Sequence, residues 1–264
     1  MDFLLECVGF PPDFDHLQLL ELVAERGEPT PWRDRAGRDR RLALGGGLEL
    51  RLDHGLGPDV PPQLLPWFNA PYRMRVAVDG IVPLPDSPFD ALLHGRANPP
   101  LPGPDGRHPR AVEGDGSFPF ACHLGDRRRL GGTPLPGHVL AISAAGFALD
   151  VSRVYPDLGG DEPGRSAPPR IHTLGGADAP AGCLEIDAPM RTVAHLANPL
   201  TGLEFDVVEV EAPGRPLTLF VSRWQLAEDA AAAPRAGWRI AGVFLFQGRL
   251  AGGVPRARVG RAFG

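Results

Sequence analysis

The sequence predicts an α+β fold that is mainly β: an N-terminal α+β domain with one clear helix, then a small C-terminal antiparallel β-barrel. Three observations predict it. Short alternating apolar runs recur through residues 183–250 with turn chemistry between them. Only the stretch 15–27 joins a helix cap to helical spacing. Glycine (34) and proline (31) are abundant among the 264 residues but interleave with β-like runs, which fits many turns rather than disorder.

In chain order, residues 3–10 read as a first strand ended by Pro11-Pro12. A helix follows. Asp15 is its expected N-cap with Gln18 at the third helical position, Phe14 and Leu19 flank it as a hydrophobic staple, and Gly27 ends it. Leu17, Leu20, Val23 and Ala24 form its expected apolar stripe. Residues 41–44 and 48–52 flank Gly45-Gly46-Gly47 as a hairpin, and 72–82 alternate as a strand. The stretch 97–117, without periodicity, is expected as a loop, either an excursion within the domain or a mobile cover over a site. Strands resume at 118–124 and 138–154, the latter expected to break at Ala144-Ala145-Gly146.

These features place an α+β domain at 1–155, a linker at 156–182 and a barrel domain with a basic tail at 183–264. Within the last, strands are expected at 183–186, 192–197, 203–211, 217–224 and 238–250. The apolar phase switches between Val207 and Val208, the mark of a bulge or of a strand that turns a barrel corner, and Gly242 and Gly248 interrupt the last strand in the same manner. Five curved strands of this kind resemble an OB-like or SH3-like barrel in architecture.

Composition excludes several chemistries. All 27 basic residues are arginine, the mark of a GC-rich bacterial genome, so no lysine Schiff base, pyridoxal-phosphate site or P-loop lysine can form. A formal net charge of −5 gives no global attraction to nucleic acid or anionic membrane. Three scattered cysteines without CxxC spacing suit a reducing cytosol. The opening residues carry acids where a signal peptide needs positive charge, and no run approaches the ~20 apolar residues of a membrane span. A cytoplasmic address follows.

Catalytic motifs fare no better. The triple glycine sits between strands, whereas a phosphate cradle needs a following helix. Ser143 lacks the glycines and helix of a nucleophile elbow. Eight histidines show none of the short metal spacings, so neither a metal nor another cofactor is expected. Glu204/Asp206 and Glu209/Glu211 stand two apart on a strand and read as its wet face.

The candidate interaction residues are Trp32, Arg33, Arg35, Arg38, Arg40 and Arg41, an arginine run with an aromatic, together with Trp224, Phe244 and Phe246. Arg127 to Arg129 and Arg256, Arg258 and Arg261 add positive charge. The strand through Val243 and Phe246 is apolar on both faces, which calls for a covering layer from the N-terminal domain or another chain. The expected function is a non-catalytic binding or assembly module with a protein partner or self-association. One alternative is a hydrolase-type enzyme with a His/carboxylate site at the domain junction. A second is a single-stranded nucleic-acid binder using the barrel and the arginine run.

Overall fold

A computed structural model describes residues 3–30, 38–54, 61–85, 90–101, 117–130, 132, 134–158, 166–174, 181–228 and 230–253. It is mainly β with few helices. Helices α1 (Phe3–Glu6) and α2 (His16–Arg26) lead into a four-stranded antiparallel sheet of β1 (Glu28–Pro29), β2 (Arg40–Gly45), β3 (Leu48–Asp53) and β4 (Gln63–Phe68), in that order.

A nine-stranded sheet holds β5 (Met74–Pro83), β6 (Ala91–Ala97), β7 (Phe118–Leu124), β8 (Val139–Pro156), β9 (Arg170–Thr173), β10 (Cys183–Ala197), β11 (Glu204–Val210), β12 (Leu217–Ser222) and β13 (Trp238–Gly252). Helix α3 (Arg223–Glu228) follows β12.

The large sheet is ring-like because β8 and β13 pair antiparallel over nearly their full lengths and each carries two further neighbours. β8 takes β5 at residues 139–142 and β12 at 145–147, while β13 takes β10 at 239–245 and β7 at 247–248. From β8 the pairings return to β13 through β5, β6 and β7, and again through β12, β11 and β10. The strands of 183–250 therefore do not close into a barrel by themselves. β8, from outside that stretch, stands between β12 and β13.

Several local expectations hold. The Asp15 carboxylate accepts the Gln18 N–H at 3.1 Å as N-cap of α2, and Gly27 follows the helix. Gly45, the last residue of β2, and Gly46 and Gly47 after it all take positive φ, a hairpin turn into β3 rather than an anion cradle.

Others are corrected. Residues 3–6 are helical, because Leu4, Cys7 and Val8 are buried at helical spacing and one face of a strand could not bury them together. On α2, Val23 of the expected stripe is fully buried and Leu20 packs partly buried against the core, but Leu19 is the other fully buried position, while Leu17 is 71 % exposed and Ala24 is exposed. β8 runs unbroken through Gly146, where a Cβ would sit 2.8 Å from Leu219 and 2.9 Å from Phe246. β10 is one strand, not two, and the bulge falls on it between Met190 and Thr192, opposite a regular β11–β12 ladder. Residues 223–228 turn into α3 because the Ser222 hydroxyl accepts the Trp224 and Gln225 N–H groups, capping it.

The core joins both sheets. Phe220 on β12 stacks on Phe147 at 5.1 Å and meets Phe68 of the small sheet edge-on at 5.0 Å. Trp67 is sandwiched, with the Arg51 guanidinium 4.2 Å from its ring centroid and Gly125 so close that a Cβ would lie 2.1 Å from the indole. Phe244, Leu245 and Phe246 are buried within their own chain, which supplies the covering layer that a doubly apolar strand requires. Among the described residues no helix is long and apolar enough to cross a membrane.

Candidate functional site

The most developed polar site lies on the face of four adjacent strands, β8, β13, β10 and β9. Side chains two apart on a strand share a face, and register aligns them across strands in rows. One row is Arg153, Ala241, Asp187 and Arg170. The next is Asp150, Val243, Glu185 and His172. Both rows line one groove of about 560 Å³.

A bulge shapes this groove. Between the rows β8 spans three residues and β13 only two, and the extra residue, Ser152, donates its hydroxyl to the Ala241 carbonyl at 3.0 Å. Gly242 is required opposite it: a Cβ there would meet the Asp150 carbonyl oxygen at 2.3 Å. Small residues at 241 and 242 keep the floor low, while charged side chains from β8 and β9 form the walls.

Asp187 is the electrostatic centre. Its Oδ1 accepts the Tyr155 hydroxyl at 2.7 Å and Arg239 Nε at 3.0 Å. Its Oδ2 accepts Arg170 Nη2 at 2.6 Å and has Arg153 Nη2 at 3.9 Å. Burial opposes its ionisation, but the hydrogen bonds from Tyr155, Arg170 and Arg239 outweigh that and hold the carboxyl below its ordinary range. Arg239 is 4 % exposed and makes four hydrogen bonds, donating also to the Ala167, Pro168 and Asp187 carbonyls. Burial works against its charge, yet Asp187 and Tyr155 raise its pKa. Arg153 and Arg170 are different: their side chains are 60 % and 66 % exposed, and Arg153 stacks on Tyr155 at 4.6 Å.

A second polar cluster sits elsewhere on β10 and β11. His195 Nδ1 lies 2.6 Å from Asp206 Oδ1, which also accepts Arg223 Nε at 3.3 Å, and Arg223 pairs with Glu204. Asp206 is fully buried, so the Glu204/Asp206 pair is not simply a wet face. Nearby, Trp224 and Leu203 line an apolar cleft of about 360 Å³. Among the described residues no three His, Cys, Asp or Glu side chains come together as metal ligands.

The candidates named from sequence scatter. Trp32, Arg33 and Arg35 lie outside the described residues, as do Arg256, Arg258 and Arg261. Arg38 is exposed, Arg40 half-buried, and Arg41 pairs with Glu28 at 2.8 Å. Trp224 is 46 % exposed. Phe244 and Phe246 are fully buried and present nothing to a partner, because β13 is covered within its own chain. None of these residues lines the polar groove. The sequence pattern does not reveal the groove because β9 and β10 each contribute only an ordinary i, i+2 polar pair, β8 contributes Asp150 and Arg153 across a bulge, β13 contributes only small or apolar residues, and only pairing makes them adjacent. Comparison with known protein families, curated proteins and solved structures gives no match.

Proposed function

We propose that this protein is a non-catalytic binding module whose groove across β8, β13, β10 and β9 takes an anionic group between Arg153 and Arg170. One observation carries the reading. Two exposed guanidiniums from opposite walls converge on the same oxygen of Asp187, and the other oxygen of that carboxylate accepts two further hydrogen bonds, from Tyr155 and Arg239. A guanidinium has five N–H donors, and Arg170 uses one of them on Asp187. Arg153 and Arg170 both line a groove whose volume suits a small molecule or a short peptide segment.

Titration with inorganic phosphate tests this. Saturable binding with amide shifts along residues 150–153, 170–172, 185–187 and 241–243 is expected, lost in the Arg153→Ala/Arg170→Ala double variant. No saturable binding, or binding that survives both substitutions, overturns it.

An enzymatic reading draws on a separate observation: His172 and Glu185 are direct cross-strand partners on the groove wall, the imidazole–carboxylate pair that hydrolase-type acid–base chemistry uses. It predicts turnover of an ester, phosphate or glycoside substrate that His172→Gln abolishes. A protein partner or self-association is supported by the exposed Trp224 and Leu203 beside their apolar cleft, and sedimentation of Trp224→Ser against the parent protein tests it. A reducing, cytoplasmic setting is supported by three free, buried cysteines.

A further inference from the structure

The two rows of the groove carry opposite charge, and from this we infer that its ligand is a small zwitterion, a dipeptide with both termini free. The inference rests on the anion-binding reading above and adds the cationic end. The first row offers Arg153 and Arg170; the second offers Asp150 and Glu185, with His172 beside Glu185. With Asp187 and the underlying Arg239, three carboxylates face three guanidiniums, so the groove as a whole favours neither sign.

A simple anion seated between the arginines would gain one end of the groove and meet two carboxylates at the other. A ligand with an ammonium group there satisfies both ends. The spacing selects among zwitterions. The rows are two residues apart on β9, β10 and β13, which is about 6.6–6.8 Å along a strand. An extended dipeptide spans about the same length between its ammonium and its carboxylate, whereas the two charges of a free α-amino acid share one residue. The floor of Ala241 and Val243 gives its side chains an apolar contact, and specificity comes from charges that match at both ends.

Calorimetric titration with L-alanyl-L-alanine, its N-acetyl derivative and its C-terminal amide tests the inference on the full chain. The free dipeptide is expected to bind at least about tenfold more tightly than either blocked form. Asp150→Asn/Glu185→Gln, both at exposed positions, is expected to bring the free dipeptide down to the level of the N-acetyl form without weakening the latter, with circular dichroism showing the fold retained. Equal or tighter binding of the N-acetyl form overturns the zwitterion inference and leaves the anion-binding reading standing. Phosphate binding with no dipeptide binding does the same. Loss of phosphate binding as well strikes both.

Discussion

Arg239 reaches Asp187 from the neighbouring strand in two ways: its Nε donates to Oδ1 at 3.0 Å and its Nη2 to the Asp187 backbone carbonyl at 2.9 Å. The guanidinium is thereby held under the groove floor while Arg153 and Arg170 stay exposed above it. Replacing Asp187 with Ala would leave that buried cation without its main partner, a change of about 3–5 kcal/mol when a buried pair is broken. The lower end is expected, since Asp157 remains 3.8 Å from Arg239. Urea denaturation compared with the parent protein measures it.

The same carboxylate sets an acid dependence. Its folded-state pKa is depressed, so its contribution to stability is fully present above the ordinary carboxylate value near 3.9 and fades as pH falls through the lowered one. Asp187→Asn is expected to lose stability at pH 6 and to differ progressively less from the parent below pH 4. Thermal unfolding from pH 2.5 to 7 shows the convergence; a constant difference across that range would contradict it.

Gly242→Ala tests the bulge. The added methyl meets the Asp150 carbonyl, a backbone atom that can move only if β8 moves. A loss of about 1–3 kcal/mol is expected, together with displaced amide resonances at 150–153, as for overpacking at a tight site.

Two leucines on α2 make an opposed pair. Leu19→Ala removes a fully buried side chain and is expected to lower stability by about 2–5 kcal/mol, whereas Leu17→Ala, at 71 % exposure, should change it by under about 0.5 kcal/mol. Paired chemical denaturations decide it.

All three cysteines are free and buried, and burial is the first cause of each raised thiol pKa, Cys183 being pushed up to about 11. No thiol is expected to react with Ellman's reagent in the native protein at pH 8, and three in 8 M urea.

The legible parts of the chain are those whose causes are local. The Asp15 cap, the hairpin at Gly45 to Gly47 and the strand at 118–124 each depend on residues within a few positions of one another. β4 went unread because Pro66 sits within it, and Pro is admitted there by the strand's place at the edge of the small sheet. β9 has only four residues, too few for a period to show, and lies within the stretch expected as a linker.

By itself, the sequence determined that the protein is mainly β, where its firmest helix and hairpin lie, and which lysine-dependent chemistries are closed to it. Tertiary structure decided the rest. Pairing over long sequence separations put β8 beside β13, closed the ring-like sheet through both, and laid Arg153, Asp187 and Arg170 in one row from three distant segments. Register across strands is a property of partners rather than of any one strand, so no local pattern could place those three side chains around one groove.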